Sequence, residues 1–297
     1  MITGATKGKV DAIWQKMWEG GITNPIEVIS QLTYLMFIRS LDEKQLEAEQ
    51  MEQMLGVPQK RIFPEGVYRN AYGAEMPYDA LRWSRFKDKP SEEMYRIVDQ
   101  FVFPFIREMG GDSAFSKAME GATFGFPAGK TSLLEKAVDG IEELLSGFDD
   151  NIGDLGDLYE YMLSKLSTAG TNGQFRTPKH IRDMMVAMVA PKPGELICDP
   201  ACGTAGFLIS SAEFIRNNHE SGMSAADWDA FAGTNGAEPQ FSGFEMDQTM
   251  LRISAMNLML HGAEAPDVRY LDSISKNNTV CGKYDVILAN PPFTGSV

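Results

Sequence analysis

The sequence has few cysteines, few histidines and no long apolar run. Its 297 residues include three cysteines and three histidines. A small, odd number of cysteines in a chain of this length excludes a disulfide-rich secreted scaffold and favours a reduced, cytoplasmic setting. The longest clean apolar runs, such as 184–190, fall far short of the roughly 20 residues that a membrane-spanning helix needs. The sequence therefore predicts a soluble cytoplasmic protein.

Positive charge is scarce as well. Lys and Arg number 27 against 41 Asp and Glu, which gives a formal net charge of −14. A protein that holds nucleic acid by itself carries clustered basic residues, and neither half of this chain does. We therefore expect a partner subunit to hold any polynucleotide. Residues 82–89 alternate basic with aromatic residues, which suits nucleic-acid contact. We favour instead a loop that packs Trp83 and Phe86 inward and leaves its charges solvated.

Two of the cysteines, Cys198 and Cys202, have a spacing that is compatible with a pair of metal ligands. No second Cys or His pair stands at ligand spacing, so we interpret both as small buried residues and predict no metal site. The histidines are interpreted as structural; they are His180, His219 and His261.

Helical spacing of apolar residues dominates residues 1–150, which we interpret as a mostly helical domain. Asn24 followed by Pro25 is typical of a helix start. The pattern predicts an apolar helix from Asn24, a separate polar helix over 43–55, a loop region over 56–77, a helix over 91–107 capped by Ser91, and a helix over 131–145.

Short apolar runs alternate with helical segments over 151–297, which we interpret as a second domain. Such alternation is typical of an α/β fold with a parallel sheet and right-handed crossovers. The predicted strands are 195–199, 241–245, 268–271 and 284–289, and the predicted helices are 154–166, 177–189 with Thr177-Pro178 as its cap, 206–217 and 247–261. An insertion over 218–240, rich in Gly, Ser and Ala, is interpreted as a surface excursion.

A glycine-containing turn follows the first of these strands. It reads Asp199-Pro200-Ala201-Cys202-Gly203-Thr204-Ala205-Gly206. Gly203 and Gly206 permit a tight turn and a close approach of a ligand, and the following helix offers backbone N–H groups to a carboxylate. The spacing departs from the dinucleotide fingerprint Gly-x-Gly-x-x-Gly. The turn predicts a cradle for a nucleotide-like cofactor and leaves its identity open.

Acidic residues end the next two strands. Glu245 can accept hydrogen bonds from ribose hydroxyls, as the acid at this position does in dinucleotide folds. Asp272 can accept from an adenine amino group. The alternative for both residues is a solvated strand end.

Asn290-Pro291-Pro292-Phe293 follows the last predicted strand. The side-chain oxygen of Asn290 and the carbonyl oxygen of Pro291 can bind the two hydrogens of a conjugated amino group, which makes its nitrogen more nucleophilic. Phe293 can stack on an extruded base. The motif therefore predicts chemistry at an amino nitrogen, without a low-pKa base.

These motifs together resemble those of a known enzyme family. The glycine-containing turn resembles motif I of S-adenosylmethionine-dependent DNA methyltransferases, although Ala205 stands where the family often has glycine. Gln174-Phe175-Arg176-Thr177-Pro178 resembles motif X placed ahead of motif I, an order typical of the gamma group of adenine-specific enzymes. With a helical domain in front, the chain is similar to the modification subunit of a type I restriction-modification system.

The resemblance implies a helical N-terminal domain followed by a Rossmann-like methyltransferase domain with a mostly parallel sheet whose C-terminal strands are missing. It implies methyl transfer from S-adenosylmethionine to the N6 amino group of adenine in DNA. In the family's strand order the first and fourth strands are neighbours, so both motifs should meet. The expected cofactor-binding residues are Gln174, Phe175, Arg176, Thr177, Pro178, Lys179, Asp199, Pro200, Ala201, Gly203, Thr204, Ala205, Gly206, Glu245 and Asp272, and the expected catalytic residues are Asn290, Pro291, Pro292 and Phe293.

The resemblance also implies partners: a DNA-recognition (specificity) subunit, a second copy of the methyltransferase subunit, a restriction subunit and DNA. Two alternatives stay open. Similar Asn-Pro-Pro-aromatic motifs serve enzymes that methylate guanine in RNA or glutamine in proteins, although motif X favours DNA adenine. Because family domains continue with three more strands, the chain could instead be a cofactor-binding or assembly module that is not catalytic by itself.

Overall fold

The computed structural model describes residues 4–109, 111, 113–145, 158, 161–165 and 177–291. Contacts divide the chain into two compact units, Met1–Met109 with Gly121–Asp150, and Gly110–Glu120 with Asn151–Val297. The division of the chain into domains over 1–150 and 151–297 stays a prediction. Among the described helices, none combines the length and apolar character that a membrane crossing requires.

The first unit is mostly helical. The elements up to residue 145 are α1 (Gly4–Glu19), α2 (Pro25–Leu55), β1 (Val67–Arg69), β2 (Glu75–Pro77), α3 (Trp83–Phe86), α4 (Ser91–Ile97), α5 (Phe103–Glu108), α6 (Ala114–Met119) and α7 (Thr131–Leu145). α7 buries an apolar stripe and packs against α1 and α4. Gly140 allows this close packing, because a Cβ there would lie 2.6 Å from Cγ1 of Ile13.

Two predicted helices of this unit form one. α2 runs without a break from Pro25 to Leu55, so the separate helix predicted over 43–55 is wrong. Asn24 caps its start, since its side chain accepts a hydrogen bond from Ile26 N at 3.0 Å. No glycine or proline interrupts the chain before Gly56, whose φ of +67° ends the helix.

Three further predictions differ in detail from the structure. Ser91 is the first residue of α4 and not its cap, because the N-cap position is held by Pro90. The helix predicted over 91–107 consists of α4, a π turn over Val98–Val102 and α5. The loop predicted over 56–77 contains a hairpin, in which β1 pairs antiparallel with β2.

Residues 82–89 pack into the first unit, and the predicted inward packing of Trp83 and Phe86 is confirmed. Two parts of the interpretation are wrong: residues Trp83–Phe86 form α3 and not a loop, and Arg82 is buried in ion pairs and not solvated. Trp83 and Phe86 are buried with their ring centroids 5.5 Å apart. Arg82 is 5% exposed, and its Nε lies 2.6 Å from Oδ1 of Asp42, which is 3% exposed. Lys87 pairs with Glu142. The positive charges that could have bound phosphates are thus engaged within the unit.

The second unit is an α/β layer with a four-stranded sheet. Its elements after α6 are α8 (Lys179–Val189), β3 (Ile197–Asp199), α9 (Gly206–His219), α10 (Ala225–Ala232), β4 (Phe241–Glu245), α11 (Gln248–Leu260), β5 (Asp267–Tyr270) and β6 (Val286–Ile287). The strand order is β5-β4-β3-β6, and all neighbours are parallel. The predicted fold class is confirmed, and so is the adjacency of the first and fourth strands.

The insertion over 218–240 is not a mere surface excursion, so that interpretation is wrong. It contains α10, which begins with a capping box between Ser224 and Asp227. Phe231 of α10 is buried and meets Phe241 of β4 edge to face, with ring centroids 5.1 Å apart. This aromatic pair, with the hydrogen bond from Ala265 N to the carbonyl oxygen of Ala232 at 2.8 Å, docks the insertion on the second unit.

α6 belongs to the second unit although it precedes α7 in the chain. It packs against α11 and β5. Arg252 of α11 fixes its end, because Nε donates to the carbonyl oxygen of Ala118 at 3.2 Å and Nη2 donates to that of Glu120 at 2.8 Å. These contacts account for the grouping of 110–120 with the four-stranded sheet.

Candidate active site

The glycine-containing turn leaves β3 at Asp199 and enters α9 at Gly206. Gly203 and Ala205 have φ angles of +53° and +65°, so both adopt the left-handed conformation. For alanine this conformation costs about 1 kcal/mol relative to glycine. The N–H of Cys202 donates to the carbonyl oxygen of Phe244 at 3.0 Å, which ties the turn to β4. Ala205 is the N-cap of α9, and within the described residues no side chain caps this helix start.

Gly206 has a packing role besides the predicted approach of a ligand. A Cβ there would lie 2.8 Å from Nη1 of Arg182, a buried residue of α8. Cys202 is similarly close to Gly243, where a Cβ would lie 2.8 Å from Sγ. Cys198 and Cys202 are both buried, so their interpretation as small packing residues is confirmed.

Glu245 stands at the end of β4 beside this turn. Its Oε2 accepts a hydrogen bond from Gly203 N at 2.9 Å, and its Oε1 accepts from Met246 N and Asp247 N, both at 2.8 Å. Three backbone N–H groups therefore fix the orientation of the carboxylate. Oε1 accepts two of these hydrogen bonds, whereas Oε2 accepts one and keeps a lone pair for a further donor.

Asp199 is buried at the first residue of the turn, with 2% of its surface exposed. Its Oδ1 accepts a hydrogen bond from Ala201 N at 3.0 Å. Burial raises the pKa of Asp199 to about 7; the Ala201 N–H opposes this rise, and the negative charge of Glu245 adds to it. The carboxyl group of Asp199 therefore titrates near neutral pH.

We expect Asp199→Asn to change how stability depends on pH. The folded-state pKa of about 7 lies above the unfolded value of about 3.9. Between these values the folded state binds more protons, so this group makes stability fall as pH rises. Asn keeps an oxygen for Ala201 N but never ionises, so the variant should be about 1–3 kcal/mol more stable than the parent at pH 8.

Urea unfolding at pH 5, 6, 7 and 8 checks this prediction. The advantage of Asp199→Asn should grow across the series. Asp88→Asn, at an exposed residue, serves as the control for the loss of one carboxylate. Parallel pH slopes for Asp199→Asn and the parent would refute the assignment of this titration to Asp199.

The loop after β5 carries Asp272 and lies against the glycine-containing turn. Ser273 Oγ donates to the carbonyl oxygen of Pro200. Asn278 Nδ2 donates to the carbonyl oxygen of Ser273 at 3.0 Å and so braces the loop. Oδ1 of Asp272 accepts from Ile274 N at 3.1 Å. The ends of β3, β4 and β5 thus bring Asp199, Glu245 and Asp272 to one edge of the sheet.

Asn290 reaches the same edge after β6. The N–H of Leu288 donates to the carbonyl oxygen of Cys198 at 3.0 Å, which extends the pairing of β6 with β3. Leu288 is buried in a cluster with Val186 of α8 and Phe207 of α9. Nδ2 of Asn290 donates to Oγ1 of Thr177 at 2.9 Å. The structure therefore brings motif I, the last residues of motif X and Asn290 together.

Thr177 does not cap a helix, so that prediction is wrong. α8 begins at Lys179 with Pro178 as its N-cap, and no cap hydrogen bond from a side chain is found there among the described residues. The Thr177 hydroxyl accepts from Asn290 instead. Lys179 lies in an ion cluster, 2.7 Å from Glu213 and 3.2 Å from Asp183.

The remaining predicted residues are placed as follows. Pro291 is exposed, and Ala201 and Pro200 are half-buried within the turn. Thr204 is buried. Gln174, Phe175, Arg176, Pro292 and Phe293 lie outside the described residues. The cofactor and catalytic roles of all these positions stay predictions.

Sequence reasoning missed two residues that support the site, one at the turn and one at Thr177. Asn257 of α11 is fully buried, and its Nδ2 donates to the carbonyl oxygen of Thr204 at 2.8 Å. Arg182 of α8 is 3% exposed, and its Nη1 donates to the carbonyl oxygen of Thr177 at 3.0 Å. The available signal was a polar side chain on the buried face of each helix.

Comparison with protein families covers the chain in two parts. The family described as N-6 DNA Methylase matches residues 150–296. The family described as HsdM N-terminal domain matches residues 6–141. The two matches follow each other along the chain without overlapping.

Individual relatives agree with these matches. The methylase subunit of the type I restriction enzyme EcoEI from Escherichia coli is 27% identical over 285 residues, which is 94% of this chain and 54% of that protein. The methylase subunit of the type I restriction enzyme EcoKI from Escherichia coli K12 is 24% identical, over 93% of this chain and 47% of that protein. The chain thus spans about half the length of the curated relatives that it matches.

A solved structure supports the fold. A protein from Vibrio vulnificus YJ016, described as a modification subunit of a type I restriction enzyme, superposes with a TM-score of 0.71 at 24% identity. The superposition covers 99% of this chain and 62% of that one. Both the helical first half and the parallel sheet therefore have a counterpart of known structure.

Proposed function

The chain belongs to the modification-subunit family of type I restriction-modification systems, and from this premise we propose that it binds S-adenosylmethionine and contributes the active site for methylation of the N6 amino group of adenine in DNA. The observation that carries the proposal is the meeting of the glycine-containing turn, Glu245 and Asn290 at one edge of the sheet. Ligands of open α/β sheets bind at this edge.

The residues present fit the chemical groups of S-adenosylmethionine. The uncapped start of α9, judged on the described residues, offers backbone N–H groups to the carboxylate. Oε2 of Glu245 retains a lone pair for a ribose hydroxyl. Asp272, on the neighbouring loop, offers a carboxylate to the adenine amino group. When bound, the cofactor supplies an electrophilic methyl group on a sulfonium.

The residues of the chain prepare the nucleophile. Nδ2 of Asn290 is bound to Thr177, so the oxygen on the other branch of the carboxamide serves as the acceptor. Together with the Pro291 carbonyl, it accepts the two hydrogens of the adenine amino group. This draws the nitrogen towards a tetrahedral geometry and makes its lone pair available. Orientation of the two reactants then supplies most of the rate enhancement, and no side chain has to remove a proton first.

Glu245→Gln should weaken the binding of S-adenosylmethionine by about 10- to 100-fold. The substitution keeps the size of the side chain but replaces an acceptor oxygen by an amide, which loses a charge-assisted hydrogen bond. Titration calorimetry measures the change. Glu238→Gln is a matched control, because Glu238 is an exposed carboxylate of the same unit. Equal affinities for the two variants would exclude Glu245 from the cofactor site.

We further propose that a DNA-recognition subunit holds the DNA, with a second copy of this subunit and a restriction subunit in the full complex. The net charge of −14 supports delegation of DNA binding, because a negative protein repels the phosphate backbone. The family matched by residues 150–296 is described as N-6 DNA Methylase, and the relatives are methylase subunits of restriction enzymes by name, which does not favour RNA guanine or protein glutamine as the substrate.

A methyl-transfer assay tests the proposed function. The chain is combined with a DNA-recognition subunit, labelled S-adenosylmethionine and DNA that lacks methyladenine, and the nucleosides are identified by mass spectrometry. We expect N6-methyladenine. Label that enters RNA or protein glutamine in place of DNA would overturn the proposal, and cofactor binding without transfer by any assembly would support the assembly module instead.

A further inference from the structure

The contact between Thr177 and Asn290 joins residues that are 113 positions apart in the sequence. Nδ2 of Asn290 donates a hydrogen bond to Oγ1 of Thr177 at 2.9 Å. This bond engages the amide nitrogen of Asn290, whereas the proposed reaction needs the oxygen of the same carboxamide. Asn290 is half-buried and so is Thr177. The contact therefore lies within the candidate active site and not on open surface.

Both residues of this contact are supported by contacts with neighbouring helices. The carbonyl oxygen of Thr177 accepts from Nη1 of the buried Arg182 at 3.0 Å. The segment before Asn290 is anchored by Leu288, which is buried against Val186 and Phe207. These contacts support the backbone near both residues, and such support favours a fixed geometry for the hydroxyl and the carboxamide.

Within the part of the chain that the structure describes, the Thr177 hydroxyl caps no helix. A threonine next to a helix start commonly caps the helix, but α8 uses Pro178 at that position and, among the described residues, draws no cap hydrogen bond from a side chain. The hydroxyl instead faces a carboxamide. The nitrogen branch of this group donates hydrogen bonds, and its oxygen branch accepts them. An unrestrained carboxamide can present either branch to a substrate.

We propose that Thr177 is a positioning residue for methyl transfer: its hydroxyl binds the amide nitrogen of Asn290 and so directs the carboxamide oxygen to the amino group of the target base. The inference rests on the proposed function of Asn290. It assigns Thr177 a task distinct from the cofactor contact predicted for motif X, because the hydroxyl acts through another side chain.

Kinetics with a double-mutant cycle test the proposal in the complete assembly. Thr177→Val removes the hydroxyl at nearly constant shape and should lower kcat about tenfold, the value of one lost hydrogen bond. Thr177→Ser keeps the hydroxyl and should stay within about twofold of the parent. In an Asn290→Ala background, Thr177→Val should have no further effect, because the group that it positions is gone.

Two results of this cycle would overturn the proposal. One is a loss of S-adenosylmethionine affinity in Thr177→Val with kcat unchanged, which would place the hydroxyl on the cofactor. The other is the same fall in kcat with and without Asn290. A complete absence of methylation by the unsubstituted assembly would instead count against the proposed function.

Nuclear magnetic resonance tests the contact without any activity. In protein labelled with ¹⁵N-asparagine, the carboxamide signal of Asn290 is the one that disappears in Asn290→Ala. We expect this signal to shift in Thr177→Val and to stay near its original position in Thr177→Ser. The signal of Asn277, an exposed asparagine, should not move in either variant. An unmoved Asn290 signal in Thr177→Val would show that the hydroxyl does not bind the carboxamide.

Discussion

Asn290→Ala should lower the rate of methyl transfer by about 10³-fold or more and leave the affinity for S-adenosylmethionine within about twofold. The side chain is the polar group that the end of β6 presents beside the glycine-containing turn. Its carboxamide oxygen is expected to act only when the amino nitrogen changes geometry. A loss confined to the transition state lowers kcat and spares binding.

The measurement is single-turnover methylation by the assembled complex, with cofactor affinity from calorimetry. Asn277→Ala provides the control, because Asn277 is an exposed asparagine on the loop after β5. That variant should methylate like the parent. Unchanged labelling of DNA by Asn290→Ala would refute the role assigned to the carboxamide, and a large fall in cofactor affinity would move Asn290 from the substrate to the cofactor.

Arg82→Leu should lower the free energy of unfolding of the helical unit by about 3–5 kcal/mol. Arg82 is buried, and its guanidinium lies 2.6 Å from Asp42, 2.9 Å from Glu49 and 3.2 Å from Asp79. Removing it leaves the buried carboxylate of Asp42 without its cation. One N–H bond remains to that carboxylate, from Ser84 N at 2.7 Å, and one neutral donor does not replace a charge.

Arg85→Leu is the matched control for this prediction. Arg85 pairs with the same Asp79 at 3.0 Å but is more than half exposed, so its loss should cost less than about 1 kcal/mol. Three of the four tryptophans lie in the first unit, and only Trp228 lies in the second. Tryptophan fluorescence in a Trp228→Phe background therefore follows the unfolding of the helical unit by urea.

The two substitutions together test whether the buried ion pairs of Arg82 stabilise the helical unit. Similar, small losses of stability for Arg82→Leu and Arg85→Leu would contradict the buried cluster. In the variant Asp42→Leu with Arg82→Leu, much of the lost stability should return, because apolar residues can replace a buried ion pair. No recovery would mean that the carboxylate of Asp42 is not what destabilises the single variant.

Local patterns sufficed for most of the second unit. The alternation of apolar runs and helical segments predicted the four strands to within two residues at each end. β3 is buried on both faces. A strand buried in this way is expected to follow an apolar run, and the sequence shows such a run directly. The position of the glycine-containing turn between β3 and α9 was predicted for the same reason.

Contacts between distant segments could not be predicted. The Thr177 hydroxyl could equally have capped α8, and only the placement of β6 beside β3 brings Asn290 within reach of it. Asn257 and Arg182 were missed because helical periodicity describes which face is buried and not which backbone carbonyl a polar side chain on that face will find. Phe231 docks the insertion through a partner that lies outside it.

Family resemblance supplied what local patterns lacked. It predicted that the first and fourth strands are neighbours, and the pairing of β3 with β6 confirms this. It also predicted a cofactor contact for Thr177, whose hydroxyl in the structure binds Asn290. The roles of the individual site residues remain predictions, and each can be tested by the substitutions above.

Titration of the purified chain with S-adenosylmethionine in a calorimeter decides whether the turn, Glu245 and Asp272 form a cofactor site. The chain must first show a cooperative unfolding transition, so that its fold is established in the same sample. We expect saturable binding of one cofactor molecule per chain, and weaker binding by Glu245→Gln than by Glu238→Gln. Absence of binding to the well-folded chain, at several temperatures, would contradict the proposed function.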